Sequence, residues 1–545
     1  MRASLGIVLV ALVVPAIAGC AGNPPPSAPT GGDSASMPGM AGAGGMAGMS
    51  GMGMLGHAPP GPRTPIERSV VGLPPSRPSQ EVRLADGASF DLAAGFVAHD
   101  PGVGHALRML AYNGQVPGPT LRMPQGATVA VRFHNDLPWN TTVHWHGLRL
   151  AATMDGVPGV SQDPVPPGGD FDYTLRVPDE GVFWYHAHVR EDLEQGLGLA
   201  GMLVVEGPER QRGEGPREVP LLLSDLFLAN GDVGPYFEET VVHTLMGRYG
   251  NAYIVHGART WEGTAQPGER VRLLLLDAAN ARPFRLQVAG AALVEWVASD
   301  GGFFDAPRAA DSVVLAPGER AVVDVVMPAE GQVGLYNRPT LTPLGFVPLA
   351  TFRVQGAPVQ DAGAPPGPHA RAAESLREAL QHGRDPVRVT WDLDMRMDML
   401  AFGGVPHSHT SPPPDVEWED IHQAANALSD LSNVAWIIRD NATGKEGMAA
   451  DYHFARGDLV PVLLRNRIDA MHPMDHSFHL HGQRFLVVSR NGQADPNPAW
   501  KDTVLVPTGG EVVLLVAMTN PGTWVYHCHI SEHMEAGMMG QLSVA

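Results

Sequence analysis

The stretch Tyr526-His527-Cys528-His529-Ile530-Ser531-Glu532-His533, followed by Met538 and Met539, gathers metal-ligating side chains more densely than any other part of the chain. On an extended strand, successive side chains point to opposite faces. His527 and His529 therefore share one face, and Cys528 takes the other. A thiolate can hold one metal on its own face while the two imidazoles hold other metal across the backbone, with covalent bonds joining the sites. His533 and Met538, five and ten residues beyond Cys528, can fold back to complete its sphere. One Cys, two His and a weak, distant Met are the ligands of blue-copper electron-transfer sites.

The second His for Cys528 is supplied by His476, three residues before His479. Two segments of the chain carry matching histidine pairs. His144-Trp145-His146-Gly147 is answered by His479-Leu480-His481-Gly482, and Tyr185-His186-Ala187-His188 by Tyr526-His527-Cys528-His529. A single His-x-His pair is weak evidence, because strand histidines are often solvated or satisfied structurally. Four pairs at matched positions put eight imidazoles on strand faces, and that arrangement points to metal. Between them, Pro283-Phe284-Arg285-Leu286-Gln287 stands at the comparable place with Arg and Gln instead of the pair. The middle segment is therefore expected to be a spacer without copper, and the outer two must meet to pool their histidines.

Two landmarks recur three times and define the elements that hold these residues. Strand-like runs begin after Gly126, Gly268 and Gly457 and end at Asn135, Asp277 and Asn466. Later in each unit, Pro167-Gly168, Pro317-Gly318 and Pro507-Thr508-Gly509 lead into another such run. Recurrence in three copies, with Gly/Pro punctuation between short apolar runs, predicts a triplicated all-β unit of Greek-key sandwich type. The expected boundaries are 79–208, 215–357 and 386–545, with a linker at 358–385 in which about 371 to 382 forms a short helix.

The chain has 545 residues, 37 basic against 57 acidic, and a net charge of -20. That balance speaks against binding a phosphate backbone, and no nucleic-acid partner is expected. Of the two cysteines, Cys20 follows a basic Arg2, an apolar run from Leu5 to Ile17, and Ala18-Gly19. This reads as a signal peptide over 1–20, too short to be a membrane span. Small residues before Cys20 resemble a bacterial lipobox, which implies lipidation of its thiol and an exported, membrane-anchored protein. Residues 21–78, rich in Pro, Gly, Ala and Ser, are expected to be a disordered tether. Met37, Met40, Met46, Met49, Met52, Met54 and His57 lie in it, either as a copper-collecting arm or as spacer.

The four histidine signatures, from His144-Trp145-His146-Gly147 through His527-Cys528-His529 to Met538, resemble those of three-domain multicopper oxidases over roughly residues 79–545. The resemblance implies three cupredoxin-like sandwiches, four copper ions, and one-electron oxidation of a donor coupled to four-electron reduction of dioxygen to water. It places type 1 copper on His476, Cys528, His533 and axial Met538, and type 2 copper on His144 and His479. One type 3 copper takes His146, His186 and His529, and the other takes His188, His481 and His527. Asp155, eleven residues after His144, falls where similar enzymes keep an acid for proton relay. A second acid often follows the last type 1 His in bacterial relatives. Met534 stands there, with Glu532 and Glu535 as the nearest substitutes. The family usually has Pro after His476, where this chain has Ser477.

Two donor classes remain open on the sequence. Met471, Met474 and Asp475 precede His476 directly and could offer soft and hard ligands to Cu(I), as Met-rich segments do in cuprous oxidases. Methionines also fill gaps in cores or line apolar pockets for phenols, and Met395, Met397 and Met399 share that ambiguity. His407-Ser408-His409 reads as an exposed loop among Gly and Pro. A copper-sequestering lipoprotein without turnover is the rival from another class, although it would have no need of a Cys wired between two His.

Overall fold

The computed structural model describes residues 63–339, 345–361, 363, 367–383, 385–398 and 416–545. The signal peptide, the Met-rich stretch to His57, Met399 and the His407/His409 pair lie outside them.

The three recurrent segments fold alike. Gly126, Gly268 and Gly457 all take positive φ (88°, 76° and 97°), where a side chain would be strained. Each leads into a strand: Thr128–Asn135, Arg270–Asp277 and Leu459–Asn466. The second landmark glycines, Gly168, Gly318 and Gly509, are also at positive φ. They lead to Asp170–Arg176, Arg320–Val326 and Glu511–Ala517, which pair antiparallel with Thr128–Asn135, Arg270–Asp277 and Leu459–Asn466 respectively. Strand Thr128–Asn135 alternates exposed and buried residues at most positions, the period of a sheet with one face on a core.

Around each such pair, two sheets form a sandwich. The first has a four-stranded sheet ordered Leu107–Tyr112, Ser89–His99, Thr128–Asn135, Asp170–Arg176. Its second sheet runs Glu81–Arg83, Thr120–Pro124, Ala200–Glu206, Gly181–Ala187, Val143–His146. The middle unit stacks six strands on five, and the last stacks seven on five. Separate apolar cores fill them, centred on Val131 and Tyr173, on Leu273 and Val323, and on Val462 and Leu514. Parallel pairs such as Ser89–His99 with Thr128–Asn135 show that connections cross over rather than meander, as in cupredoxin-like sandwiches.

Two connecting segments do more than the sequence indicates. The expected tether includes residues 63–78, yet these lie along the body. Pro65 bridges Phe237, Pro75 bridges Ala98, and Arg77 bridges Gln115. Backbone N–H groups donated to the folded units order this stretch despite its prolines. The expected linker helix runs Gly367–Leu380. Its His369 Nδ1 donates to Phe304 O at 2.9 Å, while Leu376 and Ala379 pack with Leu486 and Leu515 of the last unit. It is a wedge between the second and third sandwiches.

Candidate metal centre

The registers of two strand pairs bring the histidines together. Val143–His146 pairs antiparallel with Gly181–Ala187, setting His144 opposite His186. His476–Leu480 pairs antiparallel with Gly522–Cys528, setting His479 opposite His527 and Phe478 opposite Cys528. The first and last sandwiches then interleave their rings. His144 stacks on His481 with centroids 3.9 Å apart, and His146 stacks on His479 at 3.6 Å. Ligand atoms of His188, His481 and His527 lie within 4.8 Å of one another, as do those of His144, His146 and His186, and of His144, His479 and His481. All eight pair histidines are buried.

These nitrogens are suited to a cation and to little else. His144 Nε2, His146 Nδ1, His186 Nε2, His188 Nε2, His479 Nε2 and both nitrogens of His529 are buried without a hydrogen-bond partner, and orphaned polar atoms of that kind are costly in a protein interior. His481 Nε2 faces His527 Nε2 at 2.9 Å. Burial, reinforced by neighbouring imidazoles, holds His479, His481, His186 and His188 well below the usual histidine range, and burial holds His527 down to about 4. The rings are therefore neutral, the form that ligates metal.

The other nitrogen of several rings is fixed by the protein. His144 Nδ1 donates to Asp155 O at 2.7 Å, His481 Nδ1 to Asp155 Oδ2 at 2.8 Å, and His479 Nδ1 to Asp502 O at 2.9 Å. His146 Nε2 donates to Asp502 Oδ1 at 3.0 Å. Such bonds choose the tautomer and aim the free nitrogen inward. Asp155, singled out from the sequence, thus orients two rings from different sandwiches. Gly156 beside it cannot be replaced, because φ is +86° and a Cβ would sit 1.9 Å from Val143 O.

On the opposite face of strand Gly522–Cys528, Cys528 Sγ lies 3.6 Å from His476 Nδ1 and 3.8 Å from His533 Nδ1. Burial pushes the thiol up to about 12 and holds His476 down to about 3. A buried thiol of this kind ionises only beside a cation. Met538, fully buried, is tied at both ends of its peptide: its N–H donates to His533 O, and its C=O accepts from Cys528 N, each at 3.0 Å. Met539 instead pairs with His527 in the sheet. Trp436 stacks on His533 at 4.1 Å and anchors its indole N–H on Thr244 O at 2.6 Å.

Several residues here were not legible in the sequence. Glu191, on the short helix Glu191–Glu194, sets Oε1 3.4 Å from His188 Nε2 and 3.9 Å from His186 Nδ1. Burial and surrounding carboxylates push it well above the usual carboxylate range. Its spacing of three from His188 was the only available signal. Of the two substitutes for the missing acid, Glu535 accepts from Glu191 N at 3.0 Å and Glu532 from Asn280 Nδ2 at 3.0 Å. Burial raises both to about 7.

The trio Met471, Met474 and Asp475 does not share one environment. Met471 is 43% exposed and Met474 is sealed in the core with Met395 and Met397. Asp475 Oδ1 accepts from Glu417 N at 2.9 Å, while its own N–H donates to Glu417 Oε2. Between them, buried His472 places Nε2 2.9 Å from Met246 Sδ.

Comparison with known proteins agrees with this geometry. Family models described as multicopper oxidase match residues 98–210 and 420–545, the two segments that carry the four histidine pairs, His476 and His533. Laccase-6 of Oryza sativa subsp. japonica is 28% identical over 516 residues, covering 78% of this chain and 87% of its own. Copper resistance protein A of Escherichia coli is 24% identical, covering 88% and 95%. The crystal structure of a multi-copper oxidase from Pseudomonas thermotolerans superposes with a TM-score of 0.63 at 28% identity, over 85% of this chain and all of that one. With matching signatures, matching sandwiches and metal-ready histidines at their junction, residues 98–210 and 420–545 are multicopper oxidase domains.

Proposed function

We propose that Cys528, His476, His533 and Met538 hold the type 1 copper of this oxidase. His144 and His479 hold the type 2 copper, and the type 3 pair rests on His146, His186, His529 and on His188, His481, His527. The observation that carries this reading is the set of buried ring nitrogens without partners, aimed into one space from two sandwiches. Bound copper supplies one-electron redox storage, so that four donor oxidations, with four protons, reduce one dioxygen to two waters. The chain's own residues supply the rest. Cys528 is joined to His527 and His529 by single peptide links, the shortest bonded route between the two faces of the strand. Burial keeps the imidazoles neutral and the solvent out. Asp155 holds the protons of His144 and His481 on the outward nitrogens and is placed to pass a proton at the edge of the cluster.

The donor we propose is Cu(I). His472 and Met246 present a nitrogen and a thioether side by side, soft donors of the kind that select Cu(I). His472 is close enough to His533 to influence its titration, and exposed Met471 adjoins it on the surface side. Oxygen uptake with Cu(I) or a simple phenol as sole reductant tests this. Met246→Leu and His472→Gln should lower kcat/KM for Cu(I) about tenfold or more, on the order of 1.4 kcal/mol, and leave the phenol unchanged. Equal losses for both donors, or none, would contradict it.

We also propose export and lipid anchoring through Cys20, on the sequence of 1–20 alone; among the described residues no helix is long and apolar enough to cross a membrane. The protein should partition into detergent from whole cells, and Cys20→Ala should release it to the aqueous phase. Aqueous partitioning of the parent would exclude the anchor.

A further inference from the structure

The middle sandwich carries neither His-x-His pair nor Cys, yet one of its turns reaches the histidines. Pro317-Gly318-Glu319 leads into strand Arg320–Val326, and Arg320 is fully buried. Its guanidinium makes a two-pronged bond to Asp502 of the last sandwich, with Nη1–Oδ1 and Nη2–Oδ2 both 2.6 Å. Nε donates to Val182 O of the first sandwich at 2.9 Å, and Nη1 also to Gly318 O at 3.1 Å. One side chain thereby binds all three units.

Asp502 is the residue that sets two ligand rings. Its Oδ1 accepts from His146 Nε2 and its backbone carbonyl from His479 Nδ1. Thr503 Oγ1 donates to the same carboxylate at 2.8 Å and lies 2.8 Å from His146 Nε2. Space around the fork is closed. A Cβ on Gly147 would lie 2.5 Å from Asp502 Oδ2 and 2.7 Å from Arg320 Nη2. A Cβ on Gly318 would lie 2.9 Å from His529 Cδ2 and 3.2 Å from His146 Cε1. Behind the fork, Asp300 accepts from Arg320 N at 2.9 Å and pairs with Lys501 Nζ at 3.0 Å, so that the middle unit grips the 501–503 segment twice.

We infer that Arg320 is a positioning residue for the three-copper cluster: by fixing Asp502 it fixes the orientation of His146 and His479, and the middle sandwich is thus a working part of the copper site. A planar fork is needed, because a Lys in its place would hold the charge but not the angle of the carboxylate. The inference rests on the ligand reading above.

The test is metal analysis and spectroscopy of copper-loaded parent, Arg320→Lys, Arg320→Met and the charge-neutral double variant Arg320→Met/Asp502→Asn. Orienting partners of metal-bound histidines are worth about 10- to 100-fold in metal affinity. Arg320→Met should lose cluster copper accordingly and show an altered or absent type 2 electron paramagnetic signal, while the blue thiolate absorption of the type 1 site stays at the parent intensity. Arg320→Lys should fall between. If the buried, unpaired Asp502 stops Arg320→Met from folding, the double variant removes that charge and should show the same spectroscopic change in folded protein. A folded variant with full copper content and the parent type 2 signal would overturn the inference while leaving the ligand reading intact. A parent that shows the blue band but binds no cluster copper would overturn both.

Discussion

Asp155 makes three contacts with the clustered rings: its carbonyl takes His144 Nδ1, Oδ2 takes His481 Nδ1, and Oδ1 lies 3.4 Å from His144 Nδ1. Replacing it by Asn keeps an oxygen for His481 but removes the exchangeable carboxyl. Asp155→Asn is therefore expected to keep its copper and its blue absorption and to lose about 10²-fold in kcat, the scale of general acid–base assistance. Parent-like turnover in Asp155→Asn would remove it from the proton path. At this scale most of the proposed ligands were readable because they lie on shared strands or directly beyond their ends. His527, Cys528 and His529 alternate faces by the elementary period of two, and the same period aligns His144 with His146. Asp502 and Trp436 meet their histidines, and Arg320 meets Asp502, through tertiary contacts with no fixed spacing, so none of the three was readable; Glu191 offered only its spacing of three from His188.

Elements tell a similar story. The strands after Gly126, Gly268 and Gly457 end where the repeated pattern predicts, because positive-φ glycines and flanking apolar runs are local signals. The short helix Ser531–Glu535 shows what local signals leave out. It turns the chain by about one helical turn, so that His533 and Met538 return to Cys528, and it carries Glu532 and Glu535 inward. Sequence spacing allowed that return but did not show which acids would be buried by it. Proline content misled at residues 63–78, where backbone bonds to the body replace the flexibility that composition suggests. Methionine content left two readings open, and Met395, Met397 and Met474 follow the packing one in the last core, whereas the soft pair His472 and Met246 comes from segments 226 residues apart.

At the scale of the molecule, the proposed copper sites draw on all three sandwiches. The first and last supply the rings, and the middle one holds Asp502 in place. The linker helix seals the second unit to the third through His369, Leu376 and Ala379. On the proposed ligand assignment, this arrangement separates donor chemistry, on the Cys528 face of a strand, from dioxygen chemistry on the His527/His529 face. Its purpose is to deliver electrons singly and spend them together. The most direct measurement is the number of one-electron donors consumed per dioxygen by the copper-loaded protein, with hydrogen peroxide assayed alongside. Four donors per dioxygen without peroxide is the predicted result. Two donors per dioxygen, with peroxide accumulating, would contradict a cluster that pools four electrons.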